Sequence, residues 1–192
     1  MEELMLQKKQ LRKEIAARVK ATTAAYRAQA SEAIQDAVLS SEAYRAAQRV
    51  LLYLHMPTEP DTDRIIRQAL ADGKAVYVPK CVSKTEMIAV RIRNMSDLAP
   101  GAYGIPEPVD CSEVAEPSEL DLIVVPCVAA SKDGRRLGHG AGFYDRYLAG
   151  SAARRLCLCR SRNLLEAVPA EAHDVRMEWV VTEEGTFFTG KA

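Results

Sequence analysis

The run RVLLYL at Arg49 to Leu54 constrains this chain more than any other feature. It is short and almost continuously apolar, the pattern of a strand covered on both faces and therefore of a sheet held between layers of helix. A loop, HMPTEPDT, follows it. Ile65, Ile66, Ala69 and Leu70 then mark a helix that ends at Gly73, and KAVYVP at Lys74 to Pro79 supplies the next strand, which makes one βαβ unit. DLIVVP at Asp121 to Pro126 reads as a central strand. MIAVRI at Met87 to Ile92, RLCLC at Arg155 to Cys159 and EWVVT at Glu178 to Thr182 add further strands. Upstream, Leu4, Leu11, Ile15, Val19 and Tyr26 recur at helical spacing and predict one long helix from Glu2 to about Arg27. A second helical stretch is expected over about Ala28 to Ala47, broken near Ser40 and Ser41, because paired serines favour a cap over a helix interior. The stretch from Pro100 to Pro117 is rich in Pro and Gly and is expected to be mostly loop. Strands alternating with helices imply an α/β fold: a single domain over residues 1–192, with a mostly parallel sheet flanked by helices in a Rossmann-like three-layer architecture behind a long N-terminal helix. Ligands then belong at the carboxyl ends of the strands.

Charge and composition narrow the partners. The 26 Lys and Arg balance the 26 Asp and Glu, so no net field draws the chain to nucleic acid or to an anionic membrane. Small-molecule substrates are the expected partners, and a monomer is the expected state. The apolar runs are far shorter than the roughly 20 residues that cross a bilayer. The opening MEELMLQKKQLRKE is charged throughout and unlike a secretory signal, which predicts a cytoplasmic protein. Cys81, Cys111, Cys127, Cys157 and Cys159 form an odd set without C-x-x-C spacing, so reduced thiols are expected rather than disulfides or a zinc site. Alternation puts Cys157 and Cys159 on one strand face as small buried hydrophobes. His55, His139 and His173 lack paired ligand spacing and are expected to be loop residues.

The segment DGRRLGHGAGFYDRYL, Asp133 to Leu148, follows the strand LIVVP and opens a helix over about Gly142 to Ala149. Gly138, Gly140 and Gly142 alternate, so backbone N–H groups can approach a ligand closely, and the helix start behind them favours negative charge. Phosphate is the natural guest, with Arg135, Arg136 and Arg146 as additional clamps. The spacing is neither a Walker loop nor a dinucleotide fingerprint, since no Gly-Lys-Ser/Thr ends it. Lys8 and Arg12 lie at i and i+4 on one helix face, where like charges repel unless an anion sits between them.

With Ala141 and Phe143 at variable places, the run R-L-G-x-G-x-G-x-Y-D-R, Arg136 to Arg146, resembles the signature of the 5-formyltetrahydrofolate cyclo-ligase family. The resemblance continues in order along the chain: K-x-x-L-R-K at Lys8 to Lys13, Leu54 and Glu59 in LHMPTEPDT, YGIPEP at Tyr103 to Pro108, and VPAEAHD at Val168 to Asp174. It implies a single α/β domain that uses ATP and Mg²⁺ to convert 5-formyltetrahydrofolate to 5,10-methenyltetrahydrofolate, with ADP and phosphate released by way of a phosphorylated formyl group. It implies ATP contacts from Lys8, Lys9, Gln10, Leu11 and Arg12, and from Arg136, Leu137, Gly138, His139, Gly140, Ala141, Gly142, Phe143 and Tyr144. Leu54, Glu59, Tyr103 and Tyr144 are implied as folate contacts, Arg136 and Asp145 as catalytic residues, and Asp145 and Asp174 as Mg²⁺ ligands. Two positions depart from the pattern. Ala141 stands where glycine or lysine is frequent and bears on phosphate contact. Arg162 stands where glutamine is expected and bears on the region near the C-terminal metal residue.

Two other functions fit related α/β architectures with a glycine-rich phosphate loop. One is an isomerase or acyl-transfer enzyme for sugar phosphates, indifferent to ATP and Mg²⁺; the other is a nucleotide-binding protein that kept the fold without turnover.

Overall fold

The computed structural model describes residues 2–101 and 105–190. Its N-terminal quarter is helical, with α1 over Glu2–Lys20, α2 over Ala24–Ser40 and α3 over Glu42–Ala46. The first break falls at residues 21–23, earlier than the hydrophobic period predicts. Thr23 adopts an extended backbone, and its side chain accepts the Tyr26 N–H at 3.1 Å, so a threonine that looks like helix interior serves as an N-cap. Ser41 ends α2 and caps α3 through the Tyr44 N–H, as the serine pair suggests.

The main sheet has eight strands. β1 (Arg49–Leu52) is followed by α4 (Asp63–Ala71), β2 (Ala75–Cys81) and β3 (Met87–Ile92). The segment read as mostly loop contributes parts of a short ladder, β4 (Leu98–Pro100) with β5 (Pro106–Pro108), and the two-residue strand β6 (Val114–Ala115). After β7 (Leu122–Pro126) a small sheet is laid down from β8 (Ala129–Ser131) and β9 (Arg136–Leu137). Helix α5 (Phe143–Leu148) leads to β10 (Arg154–Leu158), then to β11 (Leu164–Leu165), which joins the small sheet, and to β12 (Trp179–Thr182) and β13 (Gly185–Phe188). The main sheet runs β13-β12-β10-β7-β1-β2-β3-β6. From β12 to β2 all neighbours are parallel, and antiparallel partners close both edges.

Alternate residues of the central strands divide between two cores. Val50, Leu52, Leu122, Val124, Leu156 and Leu158 pack under α2, α3 and α4. Leu51, Ile123, Val125, Cys157 and Cys159 pack on the opposite face with Tyr147 and Leu148 of α5. That two-sided burial accounts for apolar runs without alternation. All five cysteines are free thiols. Among the described residues no helix is long and apolar enough to cross a membrane.

Helix α1 belongs to neither core. Ile15, with 1% of its surface exposed, packs with Ala129, Leu137 and Val168 against the small sheet, flanked by Leu11 and Val19. Arg162 stacks on the Tyr26 ring at 4.1 Å, and Tyr26 donates to Glu183 at 2.6 Å. The Arg162 carbonyl also accepts from Arg18. The arginine at this position therefore ties α1 and α2 to the segment after β10 and does not line the cavity that Asp174 borders.

Candidate active site

The glycine-rich segment runs from β9 to the start of α5, at the carboxyl end of β7, and borders a cavity of about 600 Å³. Its walls come mainly from three distant parts of the chain, Met5, Lys8 and Arg12 of α1, residues 136–146, and Glu171, His173 and Asp174 before β12, with Pro126 and Ala149 completing them. Every residue from Arg136 to Asp145 lines it. Gly140 (φ +109°) and Gly142 (φ +68°) hold backbone conformations that side chains resist, which lets the loop turn tightly between strand and helix. An alanine at 140 is expected to cost about 1–3 kcal/mol through that strained backbone. Thermal unfolding of Gly140→Ala checks it, and an unchanged midpoint would mean that the loop relaxes. Because α5 has only six residues, its dipole adds little, and the positive charge lining the cavity comes chiefly from Lys8, Arg12, Arg136 and Arg146.

Arg136 is the most enclosed of these cations, with 4% of its side chain exposed. One nitrogen donates to Asp145 Oδ1 at 2.8 Å, the guanidinium lies 5.9 Å from the centre of the Tyr144 ring, and its Nε is buried without a partner. The Tyr144 hydroxyl is likewise buried and unpartnered, and burial first, then the charge of Glu59, pushes its pKa up. A buried donor left unpaired costs roughly 1–3 kcal/mol, so these groups mark a place where a polar ligand is favoured. Arg12 donates from Nε to the Gly138 carbonyl at 2.8 Å, which leaves the rest of its guanidinium beside Gly140. Arg146 donates to the carbonyls of Thr85, at 2.7 Å, and Ala141.

The carboxylates form the other half of the site. Asp145 Oδ1 accepts from Arg136 and, at 3.1 Å, from the Val175 N–H. Asp174 Oδ2 accepts from Lys8 at 2.6 Å and from the Glu171 N–H at 2.7 Å. Each thus uses one oxygen within the protein and keeps the other free of hydrogen bonds among the described residues, and a free carboxylate oxygen is the kind of ligand a hard divalent cation takes.

Burial works against the Lys8 ammonium, yet hydrogen bonds to Asp174 and Glu171 outweigh it and raise its pKa. Burial also works against the Asp174 carboxylate, but the Lys8 hydrogen bond and the Glu171 N–H pull its pKa down. The ammonium's contribution to stability is complete below its unfolded pKa of about 10.4 and is lost as pH rises through the folded value. The carboxylate's contribution is complete above its unfolded pKa of about 3.9 and is lost as pH falls through the folded value. Lys8→Met should therefore lower the thermal midpoint at neutral pH, with the difference from wild type shrinking as the pH drops below about 4. A difference that stays constant to lower pH would assign the stabilisation to something other than this pair.

Several sequence-predicted residues lie elsewhere. Lys9 and Gln10 are exposed on α1 away from the cavity, with Gln10 bonded to Glu14, and Leu11 packs on the small sheet. Arg135 pairs with Asp133 outside the cavity. Leu54 is part of the core beneath α2 and α4. Tyr103 lies outside the described residues. Glu59, 5% exposed, lines a second cavity of about 520 Å³ between α2, α4 and the loop after β1. It is nonetheless joined to the glycine-rich segment: Oε1 is 3.0 Å from His139 Nε2 and Oε2 accepts the Met56 N–H at 2.9 Å. Arg160, after β10, donates to the carbonyls of Thr58 and Glu59 at 2.7 Å each and pins that loop between the two cavities. The sequence reading named neither Glu171 nor His173 as site residues. Their positions three and one before Asp174, in the same turn, are the only signal that could have found them.

The family model described as the 5-formyltetrahydrofolate cyclo-ligase family matches residues 5–183. The mouse (Mus musculus) 5-formyltetrahydrofolate cyclo-ligase is 27% identical, over 92% of this chain and 94% of its own length. The enzyme of the same name from Saccharomyces cerevisiae is 30% identical, over 81% of this chain and 85% of its own. Among solved structures, the 5,10-methenyltetrahydrofolate synthetase of Aquifex aeolicus superposes with a TM-score of 0.86 at 29% identity, covering 96% of this chain and 94% of that one.

Proposed function

From the premise that the chain belongs to the 5-formyltetrahydrofolate cyclo-ligase family, we propose that it converts 5-formyltetrahydrofolate to 5,10-methenyltetrahydrofolate, with ATP split to ADP and phosphate in the main cavity. What supports this reading above all is that Lys8 and Arg12 of α1 reach the turn at Asp174 and the carbonyl of Gly138, so that cations and carboxylates from both ends of the chain surround one glycine-rich loop.

A formamide oxygen is a poor leaving group, and phosphorylation remedies that. The formyl oxygen attacks the γ-phosphorus and ADP departs. N10 of the folate then attacks the activated formyl carbon, the C–O bond to phosphate breaks, and the N10 proton is lost as the methenyl bridge closes. Catalysis of the first step is mainly positioning and charge neutralisation. Arg136, held by Asp145, offers its buried Nε to a phosphoryl oxygen, while Arg12 and Lys8 bind the remaining phosphates. Asp145 and Asp174 hold Mg²⁺, which when bound supplies further neutralisation of the phosphate oxygens. Glu59 and Tyr144 face the folate from the loop after β1 and from α5, and the Glu59–His139 contact keeps the folate side in register with the phosphate loop.

Absorbance in the methenyl-folate band tests the reading, with protein, 5-formyltetrahydrofolate and Mg²⁺ present and ATP added or withheld. An ATP-dependent rise is expected. No rise, with ATP still bound, would make this chain a nucleotide-binding relative without cyclo-ligase turnover.

A further inference from the structure

Lys8 bridges two carboxylates in the main cavity: its Nζ lies 2.9 Å from Glu171 Oε2 and 2.6 Å from Asp174 Oδ2. These acids belong to one turn before β12, whereas Lys8 arrives from α1, more than 160 positions earlier. His173 Nε2 lies 3.8 Å from the same Glu171 oxygen and 3.7 Å from Asp174 Oδ1, and one ligand atom from each of the three residues falls within a 4.8 Å span. Donors that close can converge on a single cation, and the charge they meet here is an ammonium. Glu171 has no role in the metal set proposed above. Arg136, lining the same cavity, gives an independent indication that a ligand enters: its side chain is 4% exposed, and its Nε is buried without an acceptor. Phosphate oxygens would satisfy that donor and would also attract the nearby ammonium of Lys8.

We propose that Glu171 and Asp174 form one cation seat, held by Lys8 until a triphosphate draws the ammonium away, whereupon a divalent cation takes its place. The proposal rests on the reading of this cavity as a nucleotide site. The ammonium sits on Glu171 Oε2 and Asp174 Oδ2, and a divalent cation shared by these two residues would lie against its charge, so Lys8 keeps the metal out until the nucleotide arrives. Metal and nucleotide binding are then coupled through one side chain, and the coupling is reciprocal. Glu171 takes part in metal binding alongside Asp174, and Lys8 serves as both the exchangeable counter-ion and a phosphate ligand.

Removing the ammonium should move the two ligands in opposite directions, which a general loosening of the site would not do. Nucleotide-free Lys8→Met is expected to bind Mn²⁺, followed by electron paramagnetic resonance, about 10-fold or more tighter than wild type. The same variant should bind the imido analogue of ATP about 10-fold or more weakly in the presence of a chelator. Adding Glu171→Gln to Lys8→Met should return Mn²⁺ binding to the weak level of the wild type. Lys8→Gln serves as the second variant if Lys8→Met fails to fold, with circular dichroism as the check. The exchange is overturned if the ammonium-free variants bind Mn²⁺ no more tightly than wild type, or if both ligands weaken together. Glu171 is excluded from the seat if the double variant still binds Mn²⁺ tightly. These titrations contain no folate and no turnover, so a failure of the cyclo-ligase assay leaves them standing. A wild type that does not bind the analogue at all would instead remove the nucleotide reading, whatever the Mn²⁺ result.

Discussion

Asp145→Asn is expected to cut turnover by about 10²–10³-fold, the loss typical of removing one charge-stabilising group from a transition state, while the fold survives. The carboxylate carries two duties that the amide cannot share equally. As a hydrogen-bond acceptor it holds the Arg136 guanidinium and the Val175 N–H on the same oxygen. An asparagine carbonyl can take over those bonds, so stability should fall by less than the roughly 3–5 kcal/mol seen when a buried charge loses its partner outright. As an anion it keeps the enclosed Arg136 neutralised and, on the proposed function, would offer a second oxygen to Mg²⁺; the amide supplies neither. Steady-state kinetics over a range of Mg²⁺ concentrations, alongside thermal unfolding, separates these duties. Turnover within a few-fold of wild type would remove Asp145 from the catalytic machinery. A collapse of both activity and thermal midpoint would make its role chiefly structural.

Ile15→Ala should produce the largest loss of stability of the substitutions considered, about 2–5 kcal/mol, because it deletes a fully buried side chain and leaves a cavity. The residue is 1% exposed, and its neighbours Ala129, Leu137 and Val168 stand on the small sheet and in the segment that leads to Glu171. Collapse around the vacancy is limited, since two of those neighbours are strand residues fixed by backbone pairing. At roughly 2–4 °C per kcal/mol for a chain of this size, the midpoint should fall by several degrees or more. Nucleotide affinity should fall as well, although Ile15 does not line the cavity, because the helix that Ile15 anchors delivers Lys8 and Arg12. Calorimetry of nucleotide binding well below the new midpoint checks the second effect. Undiminished affinity there would show that Lys8 and Arg12 hold α1 in place without the apolar contact.

The central strands, the βαβ unit and the glycine-rich segment were legible from residues alone because each depends on neighbours within about a dozen positions. RVLLYL and LIVVP are apolar throughout because both faces of those strands are covered, and such a run announces itself without knowledge of what covers it. Gly140 and Gly142 occupy the positive-φ positions of a turn whose shape is set locally. The end of α1 was misplaced for a local reason too: hydrophobic period continues smoothly through Thr22 and Thr23, and capping by Thr23 overrides it only when the chain bends there.

The sequence by itself therefore determined the α/β class, the family and the glycine-rich turn. Tertiary structure decided which side chains share the cavity, because that depends on where distant segments dock. Nothing near Lys8 in the chain points to Glu171 or Asp174; docking of Ile15 on the small sheet puts the three together. Arg135 and Arg136 are adjacent and identical in type, yet the strand pairing of β9 sends one to Asp133 at the surface and the other to Asp145 inside. Likewise Arg162 acquires its role from the Tyr26 ring that α2 presents to it and from Arg18 of α1. Hydrophobic pattern and turn chemistry are short-range properties written along the chain, whereas the pairing of charges in a cavity is a property of packing, which only the folded molecule possesses.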